Sequence, residues 1–257
     1  MSHSKSHLIV NCLVPLTLLV VASSPSPAMA QAVQKRETQE AYERSANKHV
    51  ANAVAVVKRM ESDPTMQRVM VDAKGVYILP TYGRAALGVG GQGGAGVLLV
   101  RQGPDWSEPV FYNIGGISIG AQVGAEGGAI AFVLKNEKAV QRFTEKNNFS
   151  LSADAGITVV NWTKIAQGST GEGDVVAWSG TKGLFGNVAT IGVNDIRYNE
   201  RMTSAYYGKT TTAMDVINGK VKNPSSDALK QALAETTSGA ASGKSGGGTG
   251  STPEQKK

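Results

Sequence analysis

The sequence predicts an α+β fold in which N-terminal amphipathic helices pack on a glycine-rich, antiparallel, barrel-like β-sheet. Three observations carry this. Fourteen glycines fall between Gly83 and Gly128, and they alternate with apolar residues instead of forming a linker. Ile117, Ile119, Ala121, Val123 and Ala125 would share one face of an extended strand, with Ser118, Gly120, Gln122, Gly124 and Glu126 on the other. A strand face this bare suits sharp coiling or the close approach of another backbone. Second, residues 33–61 repeat apolar side chains at helical spacing ahead of the strands. Third, the pattern changes back to helix after Arg197.

The first 30 residues read as an export signal. Lys5 precedes an apolar run from Leu8 to Ala22, and Ala28-Met29-Ala30 is a small-residue cleavage site. The mature chain is expected to start at Gln31 and to be exported, either periplasmic or peripheral to an envelope membrane. The run is shorter than the roughly 20 residues a membrane-spanning helix needs. Cys12, the sole cysteine, leaves with the signal, so disulfides and cysteine-ligated metals are excluded from the mature chain. With Lys5 gone, 25 basic residues face 20 acidic ones, a mild net charge of +5. Such a balance permits an anionic partner without demanding one.

Within the helix predicted at 33–61, Ala46, Val50, Ala53, Val54, Val57 and Met60 oppose Arg44, Lys48, Lys58 and Arg59. This stripe either packs on the sheet or lies in a membrane interface. Asp63-Pro64 starts a second helix, Asp63 as N-cap and Pro64 at the first helical position, with Gly75 as its stop. A strand follows at 76–79, ended by Pro80. Glycine-rich strands run from Gly83, with a hairpin loop at 102–108 and a strand at 110–114. The segment 117–134 reads as two strands joined near Glu126-Gly127-Gly128. Asn136 caps a helix over 137–143, and 151–159 alternates as a strand. Strands at 175–178 and 184–193 flank a hairpin loop at 179–183. Short helices at 214–217 and 225–234 close a domain spanning 31–236, and 237–257 is a Gly/Ser-rich disordered tail.

Chemistry-bearing motifs are sparse. Gly88 to Gly93 matches G-x-G-x-x-G, but a dinucleotide loop must open a helix, and Ala95 to Val100 continues as strand. His49 is the only histidine of the mature chain, which removes histidine-based triads and HExxH zinc sites. Ser118 and Ser152 lack a histidine partner, and Glu126, Asp154, Glu172 and Asp174 show no catalytic spacing. No catalytic residue, cofactor site, metal site or nucleic-acid interface is expected. Asn148-Phe149-Ser150 and Asn161-Trp162-Thr163 fit the glycosylation pattern, which is frequent by chance.

Cations offer more. Lys74, Arg84, Arg101 and Lys182 fall at predicted strand ends or loops, where they could gather at one rim. Each basic residue near an anionic surface contributes about 1 kcal/mol. Trp106, Trp162, Trp178, Tyr77, Tyr82, Tyr206 and Tyr207 suit either interfacial anchoring or the core.

An ordered series of motifs then resembles the SYLF domain family. It comprises Ala73-Lys74-Gly75-Val76 with Pro80, Gly88 to Gly96 leading into Leu98-Leu99-Val100-Arg101, and Trp106-Ser107-Glu108-Pro109. Gly120 to Glu126, Ser179 to Gly186 and Ala205-Tyr206-Tyr207-Gly208 complete it, so the likeness covers about residues 40–210. The resemblance implies a non-enzymatic domain that binds phospholipid, with phosphoinositides and actin as partners of eukaryotic members. It associates lipid contact with the N-terminal amphipathic helix, here within 43–60. For an exported chain, actin is not expected, and anionic envelope phospholipid takes its place. The expected lipid-binding residues are Lys48, Lys58, Arg59, Lys74, Arg84 and Lys182. The alternative is an envelope structural or interaction module that forms homo-oligomers through flat glycine-rich strands.

Overall fold

A computed structural model describes residues 27–242 except 146, 152–155, 169–172 and 181–192. Side chains are described apart from 27–30, 32–33, 84–92, 116–126, 193–194 and 239–242. The expected leader over 1–26, the strand at 184–192 and the tail beyond 242 lie outside the described residues. Contacts divide the chain into a unit ending at Glu37 and a compact unit from Thr38 onward. The second unit holds the sheet.

Helix α1 (Pro27–Glu61) is followed after two residues by α2 (Pro64–Val71). The break between them is chemical. Proline disfavours helical backbone in the residue before it, and Asp63 is extended at φ −102° and ψ 114°. Its carboxylate accepts from the Thr65 and Met66 N–H groups at 2.8 and 3.3 Å, so the residue that ends one helix caps the next. Helix α2 stops at Asp72, three residues before the predicted Gly75.

The largest departure from expectation is strand length. β1 (Gly75–Gln102) and β3 (Val110–Leu134) are each continuous, joined through the short β2 (Asp105–Trp106). Pro80 does not end a strand. It sits with Thr81 in a bulge where two residues of β1 oppose Ala129 alone, between the pairs Leu79–Ile130 and Tyr82–Gly128. A bulge needs no ladder N–H from proline there. The expected turn at 126–128 is likewise ladder, with Glu126 opposite Arg84 and Gly127 opposite Gly83. β1 bends back so that its ends meet: the Arg101 N–H donates to the Lys74 carbonyl at 2.9 Å. Where the halves cross, a Cβ on Gly96 would stand 2.5 Å from the Ile78 carbonyl oxygen, and one on Gly94 would stand 2.5 Å from that of Thr81. Side chains are excluded from those crossings.

The remaining elements are α3 (Glu137–Glu145), β4 (Asn148–Leu151), β5 (Val159–Asn161), α4 (Trp162–Ala166), β6 (Val175–Ser179) and β7 (Val193–Tyr198). After them come α5 (Glu200–Tyr207), α6 (Ala213–Ile217) and α7 (Asp227–Ser242). The described strands form one seven-stranded curled half-barrel sheet, antiparallel except for the β5–β6 pair. Asn136 caps α3 as expected, accepting from the Ala139 N–H. The predicted strand at 151–159 resolves differently, with strands at 148–151 and 159–161. Helix α4 was not expected. It is capped by Asn161, whose side chain accepts from the Thr163 N–H at 3.0 Å and is buried, so this glycosylation-like triplet serves the backbone instead. Helix α7 continues to Ser242, past the boundary expected at 236, with Thr236 and Thr237 buried and bonded to carbonyls one turn back.

Alternation along β1 and β3 splits the core in two. Val76, Ile78, Val97, Leu99, Phe111, Ala131 and Val133 face a layer supplied by α1, α2 and α7. Tyr77, Leu79, Leu98, Tyr112, Ile130 and Phe132 face the other way, toward Ala139, Val140 and Phe143 of α3 and Val216 and Ile217 of α6. The ends of the long strands are thus covered on both faces.

Candidate functional site

From Thr38 onward, α1 is docked. Ala46, Val50, Ala53, Val56, Val57 and Met60 are all buried in the first core. Of the two alternatives left by the periodicity, this is packing on the sheet and not entry into a headgroup layer, because those side chains are already out of water within the protein. From Arg44 to Met60, α1 leaves exposed Arg44, Lys48, Ala51, Asn52, Ala55, Lys58 and Arg59, and the exposed Glu40 and Glu43 come just before them. No carboxylate occurs between Arg44 and Met60. Arg44 pairs with Glu40 at 3.5 Å, an exposed pair of small energetic weight. Lys48 and Lys58 make no ion pair among the described residues. The Arg59 guanidinium lies 5.9 Å from the Trp178 ring, a cation–π contact that ties the last turn of α1 to β6. His49 is half-buried. Burial first, then the Lys48 charge, holds its imidazole below the ordinary range, so it adds no charge at neutral pH.

Of the other expected cations, Lys74 is exposed beside a cleft of about 500 Å³, where it meets Arg101 and Lys135. The Arg84 side chain and the whole of Lys182 lie outside the described residues. Lys135 escaped sequence reading; its only signal was its place just after a predicted strand end. Trp106, Trp178, Tyr77, Tyr82 and Tyr206 are buried, so these aromatics are core and not interfacial anchors.

Two of the motifs that resemble the SYLF family hold the fold together. The Tyr207 hydroxyl donates to the Pro109 carbonyl at 2.7 Å, joining Ala205-Tyr206-Tyr207-Gly208 to Trp106-Ser107-Glu108-Pro109. Gly208, at φ 68°, adopts the left-handed conformation that ends α5. Burial, then the nearby Glu108 charge, pushes the Tyr206 and Tyr207 hydroxyls well above the usual tyrosine range, so both stay protonated. Among the described residues no group of histidine, cysteine and acidic side chains is arranged to hold a metal ion, and no helix is long and apolar enough to cross a membrane.

The comparisons agree with the motifs. The model of the Ysc84 family, described as "Las17-binding protein actin regulator", matches residues 115–236. The chain is 29% identical over 162 residues to Protein YSC84 of Saccharomyces cerevisiae, covering 61% of this chain and 34% of that protein. It is 28% identical to LAS seventeen-binding protein 3 of the same yeast, at 61% and 35% coverage. Against the SH3 domain-containing YSC84-like protein 1 of Xenopus laevis it is 25% identical, at 61% and 48%. The chain therefore spans about a third to a half of the length of these relatives. No solved structure matches it. The matched residues begin in the glycine-rich centre of β3 and reach into α7, and over that stretch the likeness to the Ysc84 family is consistent with the SYLF domain family that the motifs resemble.

Proposed function

We propose that this protein is a non-enzymatic, exported membrane-surface binder that holds anionic envelope phospholipid through the exposed basic face of a docked α1. The observation that carries the reading is the division of that helix. Its apolar side lies in the core, while the side facing water presents Lys48, Lys58 and Arg59 around the small residues Ala51 and Ala55, with no carboxylate between Arg44 and Met60. Small side chains between the cations let the helix lie flat on a surface.

At about 1 kcal/mol per cation near an anionic membrane, three contribute on the order of 3 kcal/mol at low salt. That supports reversible adsorption and not anchoring, and it is screened over about 10 Å at 0.1 M salt. Actin remains outside the proposal, because an exported chain does not meet it; the family description concerns the proteins it was written for.

Co-sedimentation of the protein with phosphatidylglycerol-containing and pure phosphatidylcholine vesicles, across a salt series, tests the reading. Binding confined to the anionic vesicles and falling steeply with salt is expected. Equal binding to both, or none to either, overturns it.

A further inference from the structure

Two of the family-like motifs, Ala73-Lys74-Gly75-Val76 and Leu98-Leu99-Val100-Arg101, meet at one place, and the proposed α1 surface leaves them unused. The Arg101 N–H donates to the Lys74 carbonyl at 2.9 Å, and the Lys74 N–H donates to Leu134 at 2.7 Å. The first residues of β1, its last residues and the end of β3 are thereby fixed together under the C-terminus of α2. The cleft of about 500 Å³ opens there, and it draws its cations from three separate segments: Lys74, Arg101 and Lys135.

Their geometry is set by backbone. The Arg101 Nη1 donates to the Val71 carbonyl at 2.6 Å and its Nε to Gly103 at 3.1 Å. Lys135 Nζ donates to the Val69 carbonyl at 3.3 Å and lies 3.5 Å from Asp72 Oδ2. The bonds to Val69 and Val71 satisfy carbonyls at the negative end of α2. Together the four contacts use two of the five guanidinium N–H donors and two of three ammonium donors, so each group keeps donors to offer. Lys74 is exposed and makes no side-chain bond among the described residues. Against the three cations stand Asp72, already engaged by Lys135, and the exposed Glu137, which leaves a net positive cleft.

We infer that this cleft binds a phosphate group, with Lys74 as the mobile cation that closes on it and Arg101 and Lys135 as donors held in place beforehand. A planar, pre-aimed guanidinium beside two ammoniums suits phosphate oxygens. The inference deepens the lipid reading and rests on it for the source of the phosphate: a lipid headgroup in place of the free anion.

The test pairs two probes with two variants of the protein. Inorganic phosphate is titrated while the amide signals of Lys74, Arg101 and Lys135 are followed by NMR, and vesicles of phosphatidylcholine with phosphatidic acid are used for co-sedimentation. Phosphate should shift those three amides in the wild type. Lys74→Glu, a change at an exposed side chain, should weaken the phosphate response at least about tenfold and reduce vesicle binding, whereas Lys58→Glu should reduce vesicle binding alone. Phosphate response with no vesicle binding assigns the cleft to free phosphate and sinks the membrane reading only. Vesicle binding in the wild type without any phosphate-induced shift at these amides, or a Lys74→Glu response equal to wild type, overturns the cleft.

Discussion

Glu108 Oε1 accepts a hydrogen bond from Lys230 Nζ at 2.6 Å, and only 6% of the Glu108 side chain is exposed. The second carboxylate oxygen accepts from the Ser226 hydroxyl at 2.8 Å and the Asn223 N–H at 3.2 Å. Through this one carboxylate, the residues after β2 hold the start of α7. Removing one partner of a buried pair leaves a charge without compensation, at a cost of about 3–5 kcal/mol when the pair is fully enclosed. Lys230 is partly exposed and two donors remain, so Lys230→Met should destabilise by roughly 2–3 kcal/mol in urea unfolding. Adding Glu108→Gln to that variant should recover part of the loss. A double variant no more stable than Lys230→Met would show that the charge is not what matters.

The crossing of β1 over itself makes a second prediction. Gly96→Ala places a methyl 2.5 Å from the Ile78 carbonyl oxygen and 2.8 Å from the Tyr77 ring. The backbone must shift, at a cost of about 1–3 kcal/mol or more. Gly83 has nothing within 4 Å of the same methyl, so Gly83→Ala should change stability by less than about 1 kcal/mol. Thermal unfolding of the two variants side by side checks the contrast, and similar melting temperatures would refute the crossing.

Asp174 ties the loop before β5 to α3. Its carboxylate accepts from the Thr158 N–H at 2.7 Å and from the Asn136 amide at 2.6 Å, with Lys138 at 3.9 Å. The Thr158 bond is the main cause that holds its pKa below the ordinary 3.8, with the Asn136 bond and the Lys138 charge acting in the same direction against partial burial. A folded-state pKa below the unfolded value means stabilisation that is present above pH 3.8 and lost as pH falls through the lowered value. Urea midpoints measured across this acid range should therefore decline less in Asp174→Asn than in the wild type. Parallel declines would remove Asp174 from the account of acid sensitivity.

A docked α1 implies that the sheet does not stand without it. Val50, Val56, Val57 and Met60 are each 2% exposed or less. At about 1.5–3 kcal/mol per buried side chain, their loss is on the order of 6–12 kcal/mol. That is comparable to the whole stability of a typical domain, about 5–15 kcal/mol. A chain beginning at Asp63 should accordingly show no cooperative thermal transition by circular dichroism. Retained cooperative melting would mean that the helix is an appendage.

Local signals made much of this legible. Asp63-Pro64 announced a helix boundary because proline geometry and carboxylate capping are decided within a few residues. Asn136 did the same for α3. The repeat from Ala46 to Met60 marked the buried face of α1, but periodicity alone did not say whether protein or membrane would cover it. Pro80 and Glu126-Gly127-Gly128 misled for a related reason. Proline and glycine report local backbone preference, whereas strand continuity here is set by partners some 50 residues away, such as Ile130 for Leu79. The site was half visible. Lys74 and Arg101 stood out as cations at strand ends, yet Lys135 joins them only because the end of β3 lies against the start of β1.

The central claim is that the exposed face of α1, in its docked position, meets the membrane. The most direct measurement is co-sedimentation of Lys48→Glu/Lys58→Glu with phosphatidylglycerol-containing vesicles at low salt, alongside its melting curve. Both side chains point to water and lack ion pairs among the described residues, so the fold should be unaffected. Reversing two cations that each contribute about 1 kcal/mol should weaken binding at least about tenfold. A variant that melts like the wild type and still binds these vesicles equally well would contradict the account.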